Sequence, residues 1–281
     1  MAKRYLKKHS TFLARILIVF LCLSLFQSFI YAEEASSRYK LNEEFLEWFL
    51  NDFRGVVTSP NDWKSKDFFK LSAMLATGAL LFVFDEEIND WFQENRNSSS
   101  DDVSQSISPF GHGLFLGSFL TALYASGEIF DSRKCRKTAL LSFESWMISG
   151  TIISAVKILT GRVRPQKNGN SFKFHPLSFR SRFHSFPSGH ASSAFAVATV
   201  IADQSEKFYV DFLAYNLAAL AALTRVHDNK HWASDVLIGS VIGYFVGKKI
   251  TALNRRNSNE KIKLNFQLSP QKQAITLSLS F

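Results

Sequence analysis

The stretch SFPSGHASS, residues 185–193, is followed directly by an apolar run, AFAVATVIA. Pro187 disfavours helical backbone at the residue before it, and Ser188 is one of the residue types that cap helix N-termini. The pattern therefore predicts a helix that begins near Gly189 and carries His190 in its first turn. Because helix N-termini attract anions, the histidine is expected beside an anion site. Taken by itself, the stretch favours an ordinary capped helix with a surface histidine.

The composition indicates a large apolar core and an anionic partner. The chain has 281 residues, of which 46% are hydrophobic and 28 are Phe, but the mean hydropathy of −0.01 is low for a bundle buried wholly in lipid. The net charge of +9 suits phosphate groups, acidic lipids or nucleic acid. No zinc-finger spacing or RNA-binding signature accompanies the charge, so we expect no nucleic-acid partner.

The two ends of the chain differ from its middle. Residues 1–32 combine a basic segment, the apolar run ILIVFLCLSLFQSFI and a small-residue cleavage site after Ala32, which predicts either a signal peptide or an N-terminal anchor. Residues 33–64 read as an amphipathic extension of a helical region that covers residues 65–250. The tail, residues 251–281, ends in alternating apolar and polar residues, which predict a short β-hairpin that docks on the rest of the protein.

The middle of the chain consists of helical runs without internal repeats. Six apolar runs are expected, at about 68–84, 110–130, 138–160, 188–203, 208–225 and 232–250. Several approach the ~20 residues that cross a bilayer, yet they contain acidic and small residues that also suit buried helices of a soluble domain. The predicted fold class is all-α, a bundle of about six core helices that is membrane-embedded or membrane-associated.

The loops suggest how the bundle is oriented. Residues 85–109 read as an acidic, Ser-rich loop and residues 131–137 as a short basic loop. Basic loops favour the cytoplasmic side of spanning helices, so the acidic loop is placed outside. Short links make neighbouring helices antiparallel, and four helix ends then converge on the outer face. With a cleaved signal peptide or an anchor, however, the run at 68–84 would begin on the wrong side. Either residues 42–57 re-enter the membrane, or the N-terminal apolar run does not cross it, or the helices form a periplasmic body that lies on the membrane.

Each converging end carries unusual polar residues. Lys157 and Arg164 leave one helix end together, in the arrangement that clamps a phosphoryl group, although basic clusters near membranes also contact lipid headgroups. Arg225 closes another helix. His231 and Asp235 stand four residues apart, so the carboxylate is expected to orient the imidazole and leave its other nitrogen as a nucleophile. A purely structural His–Asp pair has the same spacing.

Three segments resemble the signature motifs of a known family. KILTGRVRP, PSGH and RVHDNKHWASD match, in order, the motifs K-x6-R-P, P-S-G-H and S-R-x5-H-x3-D of the type 2 phosphatidic acid phosphatase superfamily. The spacing within each motif is kept. The family's serine before the arginine is replaced by Thr224, which keeps the hydroxyl and adds a methyl group.

The resemblance implies a role for each matched residue. His231 would form a phosphohistidine intermediate, Asp235 would orient it, and His190 would be the general acid for the leaving group. The residues implied in phosphate binding are Lys157, Arg164, Ser188, Gly189 and Arg225. The resemblance implies neither a metal nor another cofactor.

Three functions are compatible with these features. The first is a phosphatase in the inner membrane of a bacterial-type envelope, whose periplasm-facing site hydrolyses a lipid phosphate such as phosphatidate, phosphatidylglycerol phosphate, polyprenyl diphosphate or lipid A phosphate. The second is a broad-specificity acid phosphatase that is periplasmic or associated with the outer membrane. The third is a non-enzymatic envelope protein that binds lipid or serves as a structural component. The motifs bind phosphate and do not identify the group that carries it.

Overall fold

In a computed structural model of the protein, residues 39–167, 170–260, 263–269 and 274–280 are described. The predicted signal peptide or anchor lies outside these residues. The described helices are α1 (Glu43–Val57), α2 (Ser65–Val83), α3 (Asp85–Glu94), α4 (Ser98–Ile107), α5 (Gly113–Ile129), α6 (Arg133–Thr160), α7 (Gly189–Ser205), α8 (Phe208–His227) and α9 (Ala233–Glu260). Short 3-10 turns lie at Ser59–Asp62, Ser108–Gly111, Pro165–Lys167 and Ser181–Phe183. The prediction of an all-α bundle is confirmed, and the six apolar runs correspond to α2 and α5–α9.

The prediction of a loop at residues 85–109 was wrong, because this segment forms α3 and α4. Three acidic residues occupy the first turn of α3, where negative charge favours the positive end of the helix dipole. Asn97 caps α4, since its side chain accepts hydrogen bonds from the amides of Ser99 and Ser100. The serines of this segment therefore take part in the hydrogen bonds of a helix N-terminus and do not mark an irregular loop.

The basic segment at residues 131–137 is mostly helical as well. Ser132 caps α6 by accepting a hydrogen bond from the amide of Cys135, and the helix then continues for 28 residues. Both α6 and α9 are long and apolar enough to cross a membrane, and α2 with α3 is a further candidate that bends by 61° at its break. By length and composition, the described part of the chain thus holds two spanning helices, or three if the bent pair is one span.

Helix α7 lies at the centre of the bundle and packs closely on α9. Gly239 and Gly243 of α9 face its backbone, and a Cβ atom added at either residue would lie within 2.3 Å of the carbonyl oxygens of Ser188 and Ser192. Small residues spaced four apart allow helix backbones to approach in this way. The approach brings the start of α7 to the start of α9, where the amide of Ser188 donates to the carbonyl of Asp235 at 2.9 Å.

The remaining elements lie at the two ends of the chain. Helix α1, within the predicted amphipathic extension, buries Asp52 and Val56, and its Gly55 faces Leu253 of α9. Strands β1 (Lys263–Ser269) and β2 (Ala274–Ser280) pair antiparallel. The docking role predicted for this tail, and the domain boundaries, stay predictions.

Candidate active site

The ends of α6, α7, α8 and α9 meet at one end of the bundle, as the antiparallel arrangement predicted. Lys157, in the last turn of α6, donates from Nζ to the carbonyl of His184 at 2.7 Å. Arg164 follows α6 and donates from Nη2 to the same carbonyl at 3.2 Å. The Nη1 atom of Arg164 lies 3.5 Å from Nε2 of His231. Two cations from one motif therefore stand beside the histidine of another.

His231 is buried in a state that suits a nucleophile. Because a guanidinium group only donates hydrogen bonds, its approach to Nε2 assigns the lone pair of the ring to that atom and the proton to Nδ1. Burial lowers the pKa of His231 to about 4, with Lys157 and Arg164 acting in the same direction and Asp235 opposing them. The imidazole is therefore neutral at pH 7, with Nε2 directed at the basic cluster.

Asp235 faces His231 but is held mainly by other groups. Its Oδ2 atom lies 3.6 Å from Nδ1 of His231, which is longer than a hydrogen bond. The same oxygen accepts from the hydroxyl of Ser185 and from the amide of Trp232 at 3.1 Å. The other oxygen, Oδ1, accepts from Arg162 at 2.6 Å. The carboxylate is thus fixed beside the imidazole by a network that the motif spacing does not reveal.

Arg162 is the centre of that network and was missed in the sequence. Its guanidinium is fully buried and pairs with Asp85 at 2.7 Å and Asp235 at 2.6 Å. It lies over the rings of Phe82 and Trp232, at 4.4 and 5.6 Å from their centroids. Its position inside the motif KILTGRVRP was the one available signal. Asp85 gave none, because it is one of several acidic residues in the segment that read as a loop.

His190 is positioned by the 3-10 turn Ser108–Gly111. Its Nε2 donates to the carbonyl of Ser108 at 2.7 Å, since a carbonyl only accepts, and this leaves Nδ1 as the free ring nitrogen. A Cβ atom at Gly111 would lie 2.3 Å from Cδ2 of the ring, so the turn can support the histidine only with glycine there. Burial, and secondarily Arg225, lowers the pKa of His190 to about 3.

Arg225, the third predicted cation, approaches the same turn. Its Nη2 atom donates to Oγ of Ser108 at 2.5 Å and to Oδ2 of Asp228 at 2.7 Å. Both Nε and Nη2 also donate to Oγ1 of Thr224, at 3.1 and 2.9 Å. Thr224 therefore supplies a hydroxyl acceptor to Arg225, and its additional methyl group leaves this contact intact.

Ser188 and Gly189 form the predicted start of α7. The Ser188 hydroxyl accepts from the amide of Ala191 at 3.4 Å, which makes it the N-cap. Gly189 faces α6, where an added Cβ atom would lie 3.8 Å from Cε of Lys157. The free amides of this helix start therefore adjoin the first cation of the cluster, as an anion site requires.

The electrostatics of the cluster favour a bound anion. Lys157, Arg164 and Arg225 bring positive charge to one place, and burial lowers the pKa of Arg164 and of Arg225. A phosphate would offset both the burial of these charges and their mutual repulsion. Within the described residues, no group of three His, Cys, Asp or Glu side chains is placed to hold a metal ion.

Comparison with known proteins agrees with this geometry. Residues 138–258 match the family model of the PAP2 superfamily, and the match includes all three motifs. A lipid A 1-phosphatase of Porphyromonas gingivalis is 32% identical over 103 residues, or 36% of this chain and 20% of the relative. The chain thus spans about a fifth of the length of that relative.

Longer matches cover most of the bundle. A lipid A 1-phosphatase of Rhizobium etli is 25% identical over 197 residues, which are 66% of this chain and 82% of the relative. The crystal structure of a transmembrane PAP2 type phosphatidylglycerolphosphate phosphatase from Bacillus subtilis matches with 25% identity and a TM-score of 0.53, over 66% of this chain and 96% of that one. The resemblance that the three motifs indicated is confirmed by the match of residues 138–258 to the PAP2 superfamily and by these relatives.

Proposed function

We propose that the protein removes phosphate from a membrane lipid through a phosphohistidine formed on His231. One observation carries the proposal. The lone pair of a neutral, buried imidazole is directed at Arg164, and Arg164 shares the carbonyl of His184 with Lys157. A phosphoryl group bound between these cations would lie next to Nε2, at the distance needed for attack.

The first step would transfer the phosphoryl group to the enzyme. Nε2 of His231 forms a bond to phosphorus while the bond from phosphorus to the lipid oxygen breaks. The cations bind the equatorial oxygens, and His190 gives a proton from Nδ1 to the leaving oxygen. Because the pKa of His190 is low without an anion nearby, the negative charge of the phosphate is what would raise it toward the value needed for a general acid.

The second step would restore the histidine. His190, now neutral, accepts a proton from water, and the resulting hydroxide equivalent attacks phosphorus as the bond to Nε2 breaks. Inorganic phosphate leaves, and Asp235 stabilises the proton on Nδ1 of His231 throughout. In both steps the three cations offset the negative charge on the phosphoryl oxygens, and His190 carries the transferred proton.

The lipid nature of the substrate is supported by the relatives and by the surface of the bundle. The bacterial relatives are named lipid A 1-phosphatases and the solved neighbour a phosphatidylglycerolphosphate phosphatase. Within the residues that the structure describes, two helices are long and apolar enough to span a membrane. We therefore propose a lipid-borne phosphate as substrate, with the site on the non-cytoplasmic face, and rank the soluble acid phosphatase and the non-enzymatic envelope protein below it.

The test is phosphate release from detergent-dispersed lipid A, phosphatidylglycerol phosphate, phosphatidate and polyprenyl diphosphate. His231→Ala is expected to lower kcat by roughly 10³-fold or more, as loss of a nucleophile does. His175→Ala, at an exposed histidine of the loop before α7, is the matched control. Equal rates for wild type and His231→Ala would refute the mechanism. Release of the protein by osmotic shock without detergent would favour the soluble phosphatase.

A further inference from the structure

We propose that an aromatic loop, residues 172–182, docks on the anionic surface of the membrane leaflet nearest the candidate active site. Its apolar side chains would enter the boundary between the headgroups and the acyl chains, and its basic side chains would contact the lipid phosphates. The inference goes beyond the proposed function, because it concerns how the fold meets the membrane and holds for any reaction at the site.

The aromatic loop exposes large apolar side chains that a loop in water would not favour. These side chains are Phe172, Phe174, Leu177 and Phe179, which are 57, 40, 69 and 81% exposed. Ring packing joins the loop to the end of α2, because the centroids of Phe82 and Phe172 lie 4.8 Å apart. Leu80 and Val83, on either side of Phe82, are exposed as well. An exposed apolar patch of this extent indicates an interaction with a partner or a membrane.

The charges of the loop favour anionic lipid as that partner. Between residues 170 and 186 the sequence contains Lys173, Arg180 and Arg182 and no Asp or Glu, and all three basic residues are exposed. Aromatic and aliphatic residues interleaved with Lys and Arg are typical of segments that lie in the membrane interface. Helices α3 and α4, at the same end of the bundle, carry seven acidic residues and no Lys or Arg. An anionic leaflet would therefore attract the aromatic loop and repel these helices.

The loop is fixed at the end of a helix that is long and apolar enough to span a membrane. Helix α6 ends at Thr160, and Gly161 follows it with a φ of 62°. The carbonyl of Gly161 accepts from the amide of His175 at 2.8 Å, and the amide of Val163 donates to the carbonyl of Lys173 at 3.0 Å. A Cβ atom at residue 161 would lie 1.7 Å from the carbonyl oxygen of His175. The loop is thus held where a spanning helix leaves the hydrocarbon, at the depth of the headgroups.

The same loop contacts the candidate phosphate-binding residues. The amide of Arg164 donates to the carbonyl of Arg182 at 3.3 Å, and Nε of Arg164 donates to the carbonyl of Ser181 at 3.4 Å. A loop docked at headgroup depth would therefore bring Arg164 to the depth at which lipid phosphates lie. A phosphate could then reach the basic cluster without leaving the interface.

The first test measures the depth of the loop. The full chain carries Cys22→Ala and Cys135→Ala, a single cysteine in Phe179→Cys with a fluorescent label, and is placed in nanodiscs of phosphatidylcholine and phosphatidylglycerol in equal parts. Phosphatidylcholine with brominated acyl chains should quench this label at least about twofold more than a label on Ser99→Cys, since interfacial segments insert to the acyl boundary. Ser99 is an exposed residue of α4 and is the matched control.

Two outcomes of this measurement overturn the inference. Equal quenching at the two positions, or none at residue 179, would mean that the aromatic loop does not enter the leaflet. An unquenched label, together with a disulfide between the unlabelled cysteines of two Phe179→Cys copies, would identify a second copy of the chain as the occupant of the patch.

The second test concerns the charges. Native mass spectrometry of the full chain from the same nanodiscs gives the ratio of bound phosphatidylglycerol to bound phosphatidylcholine. Lys173→Gln with Arg180→Gln should lower this ratio about fivefold or more, since each basic residue near an anionic surface contributes a factor of about five. Lys173→Arg with Arg180→Lys keeps both charges and should preserve the ratio. An unchanged ratio in the glutamine variant would overturn the role of the charges. Neither experiment measures phosphate release, so a failure of the proposed function leaves both results interpretable.

Discussion

Removing the buried guanidinium of Arg162 should affect both folding and catalysis. Arg162→Met preserves much of the side-chain length and removes the charge that pairs with Asp85 and Asp235, at 2.7 and 2.6 Å. All three side chains are fully buried, so two carboxylates lose their shared partner without access to water. Breaking a buried pair in this way costs about 3–5 kcal/mol of unfolding free energy, which lowers the melting temperature of a chain of this size by roughly 10 °C.

The catalytic effect has a separate signature. Among the described residues, Asp235 without Arg162 keeps only the Ser185 hydroxyl and the Trp232 amide as hydrogen-bond donors, so the carboxylate and the imidazole beside it are less firmly oriented. We expect kcat to fall by about 10²-fold with KM little changed, because small misplacements of a reacting group have that effect. Arg162→Lys should recover only part of the rate, since an ammonium group lacks the planar fork that reaches two carboxylates.

The assays are thermal unfolding in detergent and steady-state phosphate release. Arg180→Met, at an exposed arginine of the loop before α7, is the matched control and should change neither quantity. Combining Arg162→Met with Asp85→Asn should destabilise the protein by less than the two single changes together, with a coupling of about 0.5–3 kcal/mol. A wild-type melting temperature and kcat in Arg162→Met would refute the assigned role of this network.

Three further predictions concern His190 and its neighbours. The pKa values of His190 and His231 are lowered to about 3 and about 4, so between pH 6.5 and 4 protons bind the unfolded chain preferentially and stability falls on acidification. His190→Gln should make the dependence of unfolding free energy on pH shallower by up to about 1.4 kcal/mol per pH unit. Gly111→Ala places a methyl group 2.3 Å from the His190 ring and should lower kcat by about 10²-fold. Thr224→Val removes an acceptor of Arg225 and should lower kcat/KM at least about tenfold, whereas Thr224→Ser should retain it.

A specific result would contradict each of these three predictions. An unchanged pH dependence of the melting temperature in His190→Gln would contradict the first. For the second, Gly117→Ala is the control, because its added methyl group meets Trp146 at an ordinary 3.7 Å; equal kcat in both variants would exclude the steric argument. Equal kcat/KM for the valine and serine variants of Thr224 would show that its hydroxyl does not support Arg225.

Local sequence patterns predicted the apolar helices and singled out the polar residues that the fold brings together at one end of the bundle. The cap at Ser188 and the apolar run after it predicted α7, and the i, i+4 spacing predicted that His231 and Asp235 lie side by side. These features depend on residues close in sequence, whose relative positions follow from helix geometry. Periodicity failed at α3 and α4, because caps and dipole interactions there stabilise short helices in a polar segment.

The contacts that hold the site together depend on residues far apart in the chain. Arg162 and Asp85 are 77 positions apart, and no periodic pattern relates them. The support of His190 by the Ser108–Gly111 turn likewise arises only when α7 packs against that turn. The sequence therefore determines which helices form and which chemical groups they carry. Packing determines which buried charges pair, because that pairing depends on how several helices fit together at once.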